Sequence, residues 1–188
     1  AVTRAAVRSF APSLAKHSTG ETYDYAALHL RGGDGEFKRR FSQTVGRGMK
    51  DLLAQYEAAR KRRVGPQHLP VTLYVASDVT FKKHRAFRDG LGALEAAARA
   101  HAGGGDRGAP AVRVVALRDV VKDAYVALAA ATPGLEDGRA LAALPDVEMH
   151  LDLLLCARAR LACAGTAGSS VSASIRTLRR VLLADDAR

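Results

Sequence analysis

"YAALHLRGGDGEFKRRF", residues 25–41, is the stretch on which the reading of the fold turns. Its first part, "YAALHL", is apolar apart from one histidine and short enough to be a strand buried on both faces. Arg31 follows at once, Gly32, Gly33 and Asp34 interrupt, and a charged segment with helical spacing begins. A buried strand that ends on arginine and glycine and runs into a helix is the opening half of a β-α-β unit. The question it raises is why an arginine stands at the lip of a buried strand.

Outward from there the same alternation repeats. Residues 36–63 read as a long charged helix ending before Gly65-Pro66. "VTLYVAS", 71–77, is a β-branched strand, followed by Asp78 and a helical pattern over about 81–101. "GGGDRGAP", 103–110, is a surface loop. "AVRVVAL", 111–117, is a third strand with a helix expected over about 118–130, and 131–145 is a loop. "DVEMHLDLLLCARA", 146–159, is an apolar-faced helix leading into a short strand, "RLACAG", 160–165. "SSVSASIRTLRRVLL" closes the series as an amphipathic helix with Val171, Ile175, Leu178 and Leu182 on its apolar side. Strand and helix in repeated alternation predict an α/β fold, a Rossmann-like doubly wound parallel sheet with helices on both faces. Ligands of such sheets bind at the carboxyl ends of the strands. Those ends are Arg31, Asp78 and the "GTAGSS" loop at 165–170.

Composition narrows the function classes. The chain has 188 residues, 48% of them hydrophobic and 5% aromatic with no Trp, which suits one globular domain with a core of Leu, Val and Ala. It begins at Ala1 without an initiator Met and reads as a fragment or processed segment. No apolar run reaches the roughly 18 residues a membrane-spanning helix needs. The formal charge is +10. Its densest groups, "FKRR" at 37–40 and "RKRR" at 60–63, read as the solvated face of one exposed helix. No aromatic interleaving accompanies them, so no nucleic-acid partner is expected. A basic polyanion-binding protein is nonetheless one alternative reading. Cys156 and Cys163 have no metal-ligand spacing and are expected to pack as small apolar groups.

The strand ends carry the candidate chemistry. Ser169 and Ser170 fall at the N-cap and first turn of the last helix, where unpaired amides, the helix dipole and serine hydroxyls suit an anion, although a plain N-cap explains them too. Arg31 has the planar fork that grips a diphosphate, and Gly32 and Gly33 leave room for a ligand; alternatively Arg31 pairs with Asp34 in a turn. His29 lies two residues earlier, on the same strand face, as a ligand contact or a satisfied core histidine. Asp152 is an acid in an apolar helix and requires a partner if buried, either backbone amides or the N1–H and exocyclic amine of a guanine.

Together "ALHLRGGDGEF", "LYVASDV" and "DLLLCARARLACAGTAGSSVSASIRTLR" resemble the donor half of the GDP-fucose-dependent fucosyltransferases, a superfamily of GT-B fold that includes the protein O-fucosyltransferases. The resemblance covers about residues 20–182 and implies that 1–188 is a single donor-binding domain, the second of a GT-B enzyme, without the N-terminal one. It implies a glycosyltransferase that moves fucose from GDP-fucose, with inversion, to a hydroxyl of a protein or glycan acceptor. No metal or other cofactor is implied. Arg31 would bind the β-phosphate and steady the departing GDP, with His29, Gly32 and Gly33 at the donor pocket. Asp152 would read the guanine, Thr166, Ser169, Ser170 and Val171 would hold the diphosphate, and Asp34 and Asp78 would support the crevice wall. Glu36, the acid nearest the arginine motif, is the candidate base, against its plainer reading as a solvated first-turn glutamate. Residence in the secretory pathway is a further implication. A nucleotide-binding module without catalysis is the other alternative.

Overall fold

A computed structural model describes residues 23–33, 35–62, 70–102, 111–120, 125–126 and 145–185. The apolar runs form the strands: β1 is Ala26–Leu30, β2 Val71–Ser77, β3 Val112–Ala116 and β4 Ala162–Gly165. All pair in parallel in the order β3-β2-β1-β4, with Ala26 opposite both Leu73 and Ala162, and Val71 opposite Val112. The connections run outward from β1 to β3 and then return to its other side, so the direction of winding reverses between β1 and β4. The pairing extends past the strand starts, where Tyr23 accepts from the Arg160 amide and donates to the Arg158 carbonyl, both at 2.8 Å.

The pleat sends alternate residues to opposite faces. On one face Leu28, Leu30, Leu73 and Val75 meet Val45, Met49 and Leu52 of helix α2 (Phe41–Lys61) and Phe87 and Leu94 of α3 (Arg85–His101). On the other, Tyr25, Ala27, Tyr74 and Cys163 meet Leu151, Leu155 and Cys156 of α4 (Pro145–Ala157) and Ile175 of α5 (Ser170–Asp185). Helices therefore cover both faces, as the alternation predicts. Both cysteines are buried and unoxidised, packed as apolar groups. The outer edge of β4 is covered, since the Cys163 amide donates to the Gln55 side chain of α2 at 3.1 Å.

Three boundaries differ from the sequence reading. The helix expected over 36–63 is broken: α1 is Gly35–Arg39, and α2 begins at Phe41 with Arg40 (φ −105°, ψ 12°) between them. The break turns Phe41 inward, edge-on to His84 at 5.1 Å and against Gly32. Arg60 is buried at the end of α2, so "RKRR" is not wholly a solvated face. The helix expected from about 81 starts at Arg85, because Phe81 folds into the core against Phe87 through a turn closed by the His84 amide and the Phe81 carbonyl at 2.9 Å. The helix expected from about 118 is preceded by a 3-10 turn, Leu117–Asp119, closed by the Asp119 carboxylate accepting from the Ala116 amide at 2.8 Å, and residues 125 and 126 within the expected range are helical. Most of the remaining 118–130 segment and the 131–144 loop lie outside the described residues. Among the described residues no helix is long and apolar enough to cross a membrane.

Candidate functional site

The reversal between β1 and β4 opens a crevice at the strands' carboxyl ends, the position at which doubly wound sheets take their ligands. The sequence places Arg31 and Thr166 on its two lips. The buried Thr166 hydroxyl accepts from the Arg31 amide at 2.9 Å and donates to the His29 carbonyl at 3.3 Å. The Thr166 amide also donates to the His29 carbonyl, at 3.0 Å. Thr166 is thus a clamp that fixes where Arg31 leaves the sheet. With β1 ended at Leu30, the pleat no longer dictates the side to which Arg31 turns, and its guanidinium lies over the Phe37 ring of α1 at 5.5 Å from the centroid. His29 places its Nδ1 2.7 Å from the Ser172 Oγ of α5. Burial lowers the His29 pKa to about 4, with the nearby Arg31 charge acting in the same direction and Asp78 opposing.

Gly32 and Gly33 are held by Asp78 at the end of β2. Its Oδ1 accepts from the Gly32 amide at 2.8 Å and its Oδ2 from the Gly33 amide at 3.1 Å. One carboxylate thereby shapes the glycine turn beside Arg31. The room at Gly32 is used within the chain: a Cβ there would lie 2.3 Å from Cδ2 of Phe41. Asp34 lies outside the described residues.

Asp78 also lines a cavity of about 680 Å³ over the ends of β2 and β3, walled on the far side by Glu148 and Asp152 of α4, with Lys82, Lys83 and Arg118 at its rim. The partner that Asp152 requires is the Tyr74 hydroxyl of β2, which donates to its Oδ1. Burial raises the Asp152 pKa to about 6; the Tyr74 hydrogen bond works against that rise and Glu148 adds to it. Above that value the group is an anion and offers only acceptors.

On the other flank the β4–α5 loop turns through Gly168 at φ 79°. Ser169 is the N-cap of α5, its buried hydroxyl accepting from the Ser172 amide at 3.4 Å; Ser170 is exposed in the first turn and Val171 half-buried. This loop forms one wall of a smaller cavity of about 290 Å³, opposite Glu36, Arg40 and Arg47. Glu36 is exposed and paired with Arg40 at 3.1 Å.

Arg40, read from the sequence as part of a solvated face, is exposed and paired with Glu36, and Arg47, which the sequence reading did not single out, is exposed beside it. Sequence reasoning missed Tyr74. A tyrosine in a buried strand needs a hydroxyl partner, and Asp152 was the acid in want of one. The chain matches no family model, no curated protein and no solved structure.

Proposed function

We propose that this domain binds a guanine nucleotide diphosphate-sugar as the donor half of a fucosyltransferase-like enzyme. The supporting observation is the double role of Asp78: it holds the Gly32–Gly33 turn beside Arg31 and lines the cavity that carries Asp152, so the phosphate lip and the base pocket adjoin. In this reading guanine occupies the larger cavity with its N1–H and exocyclic amine on Asp152. The diphosphate crosses the Arg31 lip toward Ser170 and the first turn of α5, where helix amides and cationic side chains suit it. The reaction is inverting displacement of GDP from the anomeric carbon of fucose by a protein or glycan hydroxyl. Arg31 neutralises the charge that develops on the departing diphosphate.

The test is a thermal-shift titration with GDP, ADP and UDP on the wild type and on Arg31→Ala. A ligand that binds only the folded chain at a hundred times its Kd adds about 2.7 kcal/mol of stability. The expected result is a rise with GDP that ADP and UDP do not reproduce and that Arg31→Ala abolishes; equal shifts with all three, or none, overturn the reading. A non-catalytic binding module is the second reading, favoured by the exposed Glu36–Arg40 ion pair, which keeps the candidate base engaged in water. GDP-fucose binding without release of GDP in the presence of acceptor hydroxyls would favour it.

A further inference from the structure

Asp152, which lines the larger cavity, is paired with a residue the reading above does not use, a tyrosine of the central sheet that lies behind it, 78 residues away in sequence. We propose that Tyr74 is the positioning residue for base recognition, keeping Asp152 oriented and ionised so that the cavity accepts guanine over bases with a different edge. The proposal rests on the guanine-nucleotide reading and extends it to a residue that never touches the ligand.

Tyr74 is fully buried in β2, between paired strands on both sides, so its ring is fixed by the sheet. Its hydroxyl donates to Oδ1 of Asp152, leaving Oδ2 and the remaining lone pairs of Oδ1 as acceptors beside the cavity. Guanine alone among the common bases offers adjacent ring N–H and amine donors to such an anion. Uracil sets one N–H between two carbonyls, and adenine sets its amine beside an unprotonated ring nitrogen. Selection therefore requires Asp152 to be charged. A protonated carboxyl would direct its own O–H toward the guanine N1–H.

Several groups bear on that charge. Burial and the Glu148 carboxylate on the same helix favour protonation, while the Tyr74 hydrogen bond favours the anion. Glu148 is itself held by the Tyr125 hydroxyl at 3.0 Å. Asp78, Lys82, Lys83 and Arg118 line the same cavity from the two strand-end loops, so that with Glu148 and Asp152 three cations face three acids. The thiol of Cys156, one turn along α4, is kept neutral by burial. Of these, Tyr74 is the hydrogen-bond donor to the carboxylate.

The experiment uses the whole chain and two readouts. Carbon-13 NMR follows the Asp152 carboxyl through pH without nucleotide, in the wild type and in Tyr74→Phe. The expected midpoint of about 6 in the wild type rises by about one unit in the variant, since a hydrogen bond to a charged group is worth about 1.5 kcal/mol. Affinities for GDP and for inosine diphosphate, which lacks the exocyclic amine, are then measured between about pH 5.5 and 8.5. Tyr74→Phe is expected to lose GDP affinity several-fold at pH 7, to recover it at the upper end, and to discriminate less between the two ligands. Asp152→Asn, which still accepts from Tyr74, is expected to bind GDP weakly with no pH dependence across the range. An unchanged NMR midpoint in Tyr74→Phe overturns the proposal, as does an affinity loss equal at every pH and for both diphosphates. A shifted midpoint in a chain whose wild type ignores GDP overturns the nucleotide reading, and the specificity claim with it.

Discussion

His29 and Asp152 pull the pH dependence of stability in opposite directions. Folding lowers the His29 pKa from 6.5 to about 4, so between those values the unfolded chain holds the extra proton. Stability is lost as pH falls through that window. Folding raises the Asp152 pKa from 3.8 to about 6, so there the folded chain holds the extra proton, and stability is lost as pH rises. Each effect is about 3 kcal/mol at full extent, and in the wild type they largely offset one another between about pH 4 and 6. Removing one unmasks the other. Asp152→Asn should be more stable than the wild type at pH 7.5, by about 2 kcal/mol, with the advantage shrinking as pH falls toward 4. His29→Gln should gain stability as pH falls from 6.5 to 4.5, where the wild type stays nearly flat. Urea titrations at several pH values check both, and parallel pH profiles for the three proteins would overturn the assignment.

At the scale of elements, the α1–α2 break is the feature on which the site's shape depends. It lets the Phe41 ring press on Gly32, so Gly32→Ala should destabilise by about 1–3 kcal/mol through overpacking. Adding Phe41→Leu should recover part of that loss, because the clash is with the ring; a double-mutant cycle of urea midpoints measures it. Failure of the second change to help would locate the strain elsewhere. This is also where the sequence was least legible. β1, β2 and β4 were read nearly to the residue because uninterrupted apolar runs admit few other states. On both sides of Arg40 the residues are equally suited to helix, and the break coincides with a ring contact to a glycine from another segment that no local pattern announces. The strand-end positions of Arg31, Asp78 and Ser169 followed from topology alone. The Tyr74–Asp152 pair and the Thr166 clamp did not, since each joins residues far apart in sequence whose meeting depends on the register of the sheet.

For the whole molecule, the charge of +10 is spread over a small surface and works against the compact state. Raising NaCl from about 20 to 200 mM shortens the screening length from roughly 20 to 7 Å, so the unfolding midpoint should rise. GDP affinity should fall over the same range as the field around the Arg31 lip is screened. Differential scanning fluorimetry and a binding titration in matched salts test the pair; a midpoint that falls would mean that attractive ion pairs outweigh the excess of like charge. The strand order has a consequence in time as well as in space. The Gly32–Asp78 bond closes a separation of 46 residues, while the Arg31–Thr166 clamp closes one of 135. Shorter closures cost less entropy and form sooner. On closure entropy alone, β1, β2 and the Asp78 turn are expected to pair before β4 docks, an order that stopped-flow refolding of Thr166→Val and Asp78→Asn would check. The crevice proposed to hold a diphosphate is therefore completed last, when the far end of the chain docks.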